Sequence, residues 1–346
     1  MGYRRLPALT VVALVFWVAG CGAFRPSQPP DQEPVRAVTT VYALADFTRA
    51  VGGDRVAVEQ LAPEGGHGHE HEPTPRDLEK ILNADLFIYN GAAFEPWIDQ
   101  VLGLIEGADG VRPVDASRGI ALLAADDPGG ADGHPGAGAG PRSGLGAGTR
   151  ASAPVPDVHG VDPHVWLDPR RAAQQVAVIA EALTAVDPGG EAGYRAGAEA
   201  FRAQLEELDR HWTEGLAGCR LRDFVVDHGA FGYIADRYGL HQVAVTGLAA
   251  DQPPTPGRLA GLTAFVVERG IRVLFYDPGS GAGAVRALAV DTGTRLLPLH
   301  PLETPAAGEA QRGENYLTIM RANLEALQQG LECGGDGRGE PDHGGR

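Results

Sequence analysis

A single lysine, Lys80, stands among 29 basic residues, and the 346-residue chain has only three cysteines, two methionines and 6% aromatic residues. The missing lysine reflects a compositional preference for arginine and carries no chemistry. Three cysteines are too few for a disulfide framework. Positive charge is also scarce: 45 acidic residues give a net charge of −16, so the chain lacks the basic face of a nucleic-acid binder. No apolar run reaches the ~20 residues that span a bilayer; the run Leu9–Val18 falls well short. The remaining balance, 43% hydrophobic and 21% charged, is ordinary for a folded protein. The length suffices for two domains, each with its own core.

Arg4 and Arg5 precede that apolar run, and Val18-Ala19-Gly20-Cys21 comes after it. A basic segment, a short apolar segment and small residues form a secretory signal. Small residues directly before Cys21 resemble a bacterial lipobox, in which that cysteine is acylated and becomes the new N-terminus; an ordinary signal peptide with an incidental cysteine is the alternative. Residues 1–20 are thus a signal peptide and 21–35 a Pro-rich tether. Loss of Arg4 and Arg5 takes the charge to −18. The expected location is extracytoplasmic, lipid-anchored to the outer face of the cell membrane. In that oxidising space Cys219 and Cys333 are expected to pair, pinning the C-terminal helix to the start of the second lobe.

Strand-like segments alternate with helical ones, which implies parallel βαβ units. Val35–Tyr42, Arg55–Leu61 and Asp85–Asn90 read as strands, with helices over residues 43–53 and Pro75–Asn83. Residues 124–157 are almost wholly Gly, Ala, Pro and Asp and read as a disordered insertion. Arg170–Val186 is helical, with Asp168 as its cap. Glu191–Leu216 carries apolar Phe201, Leu205, Leu208 and Trp212 and reads as one helix long enough to bridge two lobes. Strands Phe224–Asp227, Gln242–Thr246, Ile271–Tyr276 and Thr294–Leu299 then alternate with helices near Ala230–Tyr238, Pro256–Arg269, Ala282–Asp291 and Asn315–Glu332. The fold class is α/β: two βα lobes with mainly parallel sheets joined by a long rigid helix. The divisions are an N-terminal lobe 36–188, a linking helix 189–217, a C-terminal lobe 218–333 and a disordered tail 334–346.

Four ligand-type residues fall at or beyond the C-terminal ends of strands, where open α/β sheets bind ligands. They are His69 in GGHGHEHEPTPRD, His164 in VDPHVWLDP, His228 after FVVD, and Glu303 in LLPLHPLETP. Three imidazoles and a carboxylate suit Zn²⁺ better than the oxygen-preferring Mn²⁺ or Mg²⁺.

The segments GHEHEPTPRDLEKILNADLFIYNGAAFEPWID, DPHVWLDP, HGAFGYIADRYGL and PLETP…ENYLTIMRANLEAL resemble the metal-binding solute-binding proteins of bacterial ABC transporters, the cluster that includes zinc-binding lipoproteins and adhesin-type manganese receptors. The resemblance covers residues 36–333 apart from the insertion. It implies metal ligation by His69, His164, His228 and Glu303, with histidine at the third position as in the zinc branch. It implies Zn²⁺ as transported cargo held between the lobes and an ABC permease as partner; a monomer that is not an enzyme is expected, and whether a metallochaperone is a further partner stays open. His71 stands where the family commonly has an aromatic, so His69 and His71 are both donors to be placed. His67 and His71 are accessory zinc-gathering residues or parts of a solvated loop, and His134 and His159 weak capture sites or plain surface. Asp277, where the family has an acidic residue, is expected just behind the ligands; His300 is near enough to Glu303 to be checked. Other readings are a manganese receptor of the same family, a surface adhesin without transport, or a zinc hydrolase; four protein ligands leave the last no open coordination position.

Overall fold

The alternation of β-branched runs with helical periods is realised as two parallel sheets. The computed structural model describes residues 33–66, 68–107, 110–125, 160–248, 254–279, 283–306 and 308–334. The expected signal peptide, Cys21, most of the tether, His67, His134, His159, His343 and nearly all of the tail lie outside the described residues. So does most of the insertion, although Ala124 bridges Val161 in antiparallel fashion and Ala125 N–H donates to Gly160, so the first expected insertion residues are paired.

The N-terminal lobe runs β1 (Val35–Thr39), α1 (Tyr42–Gly52), β2 (Val56–Gln60), α2 (Pro75–Leu82), β3 (Leu86–Tyr89), α3 (Ile98–Glu106) and β4 (Arg112–Asp115). Two helices come next, α4 (Pro169–Val186) and α5 (Glu191–Ala217). The C-terminal lobe continues with β5 (Asp223–Val226), α6 (Gly232–Tyr238), β6 (His241–Ala244), α7 (Pro256–Arg269), β7 (Val273–Tyr276), α8 (Gly283–Thr292), β8 (Arg295–Pro298), α9 (Glu309–Arg312) and α10 (Tyr316–Gly330). Strand order is β2-β1-β3-β4 in one sheet and β6-β5-β7-β8 in the other, and the pairing is parallel throughout. In each sheet the order reverses beside the first strand, at β1/β3 and at β5/β7. That reversal opens a crevice at the carboxyl ends of the strands.

The sequence pattern does not reveal α3 and β4. β4 is Arg-Pro-Val-Asp with one buried residue, Val114, and its proline is tolerated because the strand lies at a sheet edge. It shows neither alternation nor an apolar run.

Helix α5 buries Tyr194, Ala198, Phe201, Leu205, Leu208, Trp212 and Leu216, a spacing of three and four that keeps one stripe inward over 27 residues. At 1.5 Å per residue it is about 40 Å long, and it packs on α1 and α4 at one end and α10 at the other. One hydrophobic core consequently runs through both lobes, from Val35 and Phe47 past Phe201 and Trp212 to Phe275 and Leu327. A smaller cluster around Ile81, Phe87 and Val101 lies under α2 and α3. Asp168 caps α4 as expected, accepting from Arg170 N–H at 2.8 Å, and Arg237 of α6 reaches both Asp168 and Asp209 of α5.

Two junctions matter for the site. Gly197 of α5 lets α1 approach so closely that a Cβ there would lie 2.6 Å from the Val51 carbonyl oxygen. Gly197→Ala is expected to cost a net ~1–2 kcal/mol, because overpacking outweighs the ~1 kcal/mol of helix propensity that alanine adds. Urea denaturation reads this out; an unchanged midpoint would show that α1 gives way freely. The second junction is the start of α1, which has no side-chain cap. Tyr42 N–H donates to the Glu303 carbonyl at 2.8 Å and Ala43 N–H to the Leu302 carbonyl at 3.2 Å. Backbone from the second lobe thus satisfies donors that a helix start leaves open.

Candidate metal centre

The loop after β2 is shaped by contacts at its C-terminal side. Thr74 and Asp77 form a reciprocal capping box at the start of α2, with Pro75 in the first turn. Trp97 Nε1–H holds the His71 carbonyl at 2.7 Å. Between these anchors and β2, Gly68–Glu70 make a single 3-10 turn that brings the His69 ring onto Phe94, centroids 4.2 Å apart. His69 Nε2 then lies 3.0 Å from His164 Nε2. His71 instead sits beside Asp77, Nε2 to Oδ2 3.9 Å, and is not among the residues whose donor atoms gather.

His164 is fully buried and doubly fixed by Asp162, whose Oδ1 accepts from the His164 backbone N–H at 2.9 Å and faces Nδ1 at 2.8 Å. A carboxylate on Nδ1 holds a proton there, so Nε2 is the nitrogen that faces His69 and becomes free for a metal once its own proton leaves. Asp162 was not singled out from sequence, although an aspartate two residues before the histidine was in plain view. Its backbone is held by the Tyr233 hydroxyl, which donates to the Asp162 carbonyl at 2.6 Å. The Pro163 carbonyl accepts from Asn90 Nδ2–H at 2.9 Å, and Gln175 Nε2–H donates to Asn90 Oδ1 at 3.1 Å.

Asn90 directly follows β3 and opens a strained turn, with Ala92 and Ala93 at φ 51° and 62°. Left-handed conformations cost ~1–2 kcal/mol per non-glycine residue. The buried Glu95 carboxylate offsets this by accepting from Asn90 N–H, Gly91 N–H and the Thr40 hydroxyl at 2.7, 3.0 and 2.6 Å. Burial pushes the Glu95 carboxyl up to about 7 against the pull of those donors.

The second lobe supplies the remaining two residues. His228 lies just past β5 and presents Nε2 to Glu303 Oε1 at 3.0 Å. Glu303 comes directly after Leu302, itself at φ 61°, on a loop held by Trp166 Nε1–H donating to the Pro301 carbonyl at 2.7 Å. Glu303 Oε1 lies 3.4 Å from His164 Nε2, while Oε2 accepts from Gly68 N–H at 3.0 Å. The donor atoms of His69, His164 and Glu303 all fall within 4.8 Å of one another, and His228 joins them through Glu303. The structure therefore gathers His69, His164 and Glu303 at the carboxyl ends of the strands, with His228 in contact with Glu303 but outside that group of three.

The electrostatics are those of a crowded, largely buried cluster. Burial alone would lower His164, but hydrogen bonds and charge from Asp162 and Glu303 outweigh it and raise the imidazole to about 9. His228 is also raised, burial again being overcome by Glu303. Burial disfavours a charged Glu303, yet the His69 charge and the bonds from His164 and His228 hold it well below the usual carboxylate range. Asp277, buried at the end of β7, accepts from Gly279 N–H at 2.8 Å. Burial raises its carboxyl, His228 lowers it and Glu303 raises it further. His300 is fully occupied elsewhere: Nδ1 accepts from Leu302 N–H at 2.8 Å and Nε2 meets Glu309 at 3.2 Å.

Two parallel α/β lobes of one strand order, with buried donors meeting where both sheets present their carboxyl ends, define a two-lobe solute-binding protein. Residues 37–330 match the family described as "zinc-uptake complex component A periplasmic", and the chain belongs to it. The zinc-binding lipoprotein AdcA of Streptococcus pneumoniae (strain ATCC BAA-255 / R6) is 33% identical over 84% of this chain and 55% of its own, so this chain spans about half the length of that relative. The high-affinity zinc uptake system protein ZnuA of Bacillus subtilis (strain 168) is 30% identical over 95% of this chain and 98% of its own. Among solved structures, the Zn(II)-bound ZnuA-like domain of Streptococcus pneumoniae AdcA superposes with a TM-score of 0.69 at 31% identity, covering 87% of this chain and all of that one. The family is one of substrate-binding transport components rather than enzymes. Among the described residues, no helix is long and apolar enough to cross a membrane.

Proposed function

We propose that this chain captures Zn²⁺ outside the cytoplasm and delivers it to an ABC permease, with His69, His164, His228 and Glu303 as the ligands. The observation that carries the reading is the gathering of His69, His164 and Glu303 donor atoms from both lobes within 4.8 Å of one another, with His228 in contact with Glu303. An N₃O donor set favours Zn²⁺ over cations that prefer oxygen. Four protein ligands close a tetrahedral site, whereas catalytic zinc keeps an open position, so the chemistry is binding and not hydrolysis. Asp162 orients His164 behind the site, and Asp277 stands behind His228. Acylation of Cys21 would hold the mature protein at the membrane surface, and the Pro-rich tether would give it reach.

The test is metal analysis and titration calorimetry on the metal-free mature protein. One Zn²⁺ per chain is expected; tight manganese binding with no zinc uptake would sink the assignment. The pH dependence stems from the charged state of the empty site. Against the pull of burial, Asp162 and Glu303 raise the His164 imidazole to about 9, and Glu303 raises His228 as well. Zinc must displace the imidazole protons, so affinity climbs with pH through this range. It falls on acidification by roughly tenfold per pH unit for each proton displaced. Calorimetry in buffers of different ionisation enthalpy counts the protons released; a pH-independent affinity between 6 and 9 would contradict the ligand set.

A further inference from the structure

The two oxygens of Glu303 have different partners. Oε1 faces His164 Nε2 at 3.4 Å and His228 Nε2 at 3.0 Å, while Oε2 is engaged by the Gly68 N–H at 3.0 Å. That donor comes from the opposite lobe, from the residue directly before His69, so one turn presents a nitrogen ligand and restrains the oxygen ligand together. Both partners are buried. Anything larger than glycine presses on its neighbours: a Cβ at position 68 would lie 2.8 Å from Phe94 Cζ, 3.0 Å from Glu303 Cβ and 3.1 Å from Glu303 Oε2.

Resting on the zinc reading above, we propose that Gly68 is a specificity-determining residue whose backbone N–H keeps Glu303 a one-oxygen ligand and the site four-coordinate. A carboxylate free to turn offers both oxygens, which suits cations that take six or more ligands, such as Mn²⁺ and Ca²⁺. With Oε2 held by a buried N–H, offering it to a metal would leave that buried donor unpaired. Zn²⁺ asks for one oxygen here and leaves the bond intact. Mn²⁺ must break it or accept too few ligands. The selectivity is thus carried by a main-chain group, on a turn that Phe94 holds in place from beneath His69.

The experiment uses full-length mature protein carrying Gly68→Ala, with Zn²⁺ and Mn²⁺ affinities measured by chelator competition and Co²⁺ as spectroscopic probe of coordination number. The expected result is a Zn²⁺/Mn²⁺ affinity ratio reduced on the order of 10–100-fold, the discrimination one stranded buried donor can supply. The visible Co²⁺ bands should weaken as the site leaves tetrahedral geometry. Equal loss of both affinities with an unchanged Co²⁺ spectrum would overturn the proposal and leave Gly68 a packing residue. Because the new Cβ also presses on Phe94, Gly68→Ala combined with Phe94→Leu is measured in parallel, with metal-free melting as the check on folding. Wild-type selectivity in a folded double variant also overturns it. Failure of the wild-type protein to bind Zn²⁺ refutes the functional reading itself; intact wild-type zinc binding with unaltered selectivity in the variants refutes only the role of Gly68.

Discussion

Replacing His164 with alanine is expected to weaken zinc binding by roughly 10²–10³-fold, the share of one ligand in the ~10–16 kcal/mol by which four protein ligands hold structural zinc. The size of the effect reflects its position. His164 is completely buried, its Nδ1 is committed to Asp162, and its Nε2 faces both His69 and Glu303. No rearranged side chain or bulk water takes its place at no cost. The variant also leaves the Asp162 carboxylate buried without its imidazole, so metal-free stability must be measured alongside affinity. His211→Ala is the matched control, because that ring lies half-exposed on α5 beside Glu207. Chelator competition gives the numbers; less than a threefold change for His164→Ala would remove it from the ligand set.

The second large effect concerns stability. Cys219 and Cys333 form a disulfide across a sequence separation of 114 residues, joining the end of α5 to the end of α10. Closing a loop of that size restricts the unfolded chain, and the double variant Cys219→Ser/Cys333→Ser is expected to lose ~2–5 kcal/mol, the range found on removing native bridges. The native backbone around the bridge keeps its own pairing. Leu221 N–H donates to the Leu331 carbonyl at 3.0 Å and Cys333 N–H to the Gln328 carbonyl at 2.9 Å. The loss is therefore expected mainly in the unfolded-state term, with the folded lobe still able to hold metal. Urea denaturation with and without reductant tests this: reductant should shift the wild-type midpoint to that of the double variant and leave the variant unmoved. Identical midpoints for wild type and variant under oxidising conditions would assign the bridge no stabilising role.

What could be read from the sequence depended on the range over which its signals act. Phe201, Leu205, Leu208 and Trp212 announce α5 because a single helix face repeats every three to four residues, and burial reproduces that stripe. β1 and β5 are β-branched and central, whereas β4 has one buried residue and a proline, and edge strands need no continuous apolar run. Within the site, the choice between His69 and His71 was not legible. It is made by Trp97, which grips the His71 backbone from 26 residues away, and by Phe94 under the His69 ring. Gly68 and Glu303 are 235 residues apart, and no local pattern links a backbone donor to a carboxylate at that distance. Asp162 was legible and overlooked, being an aspartate two residues before a buried histidine.

The carbonyls of Leu302 and Glu303 close the open end of α1 in the other lobe. Glu303 is therefore anchored twice, by side chain toward the cluster and by main chain into a helix terminus. Thr304 and Pro305 extend that seam, bonded to Gly66 and Gly65 at 2.6 and 3.0 Å. Withdrawing the carboxylate by moving its backbone would fray the first turn of a helix that lies far upstream in the chain. The loop behaves as a rivet through both halves of the molecule, so the Glu303 side chain can turn only on a main chain that is itself pinned.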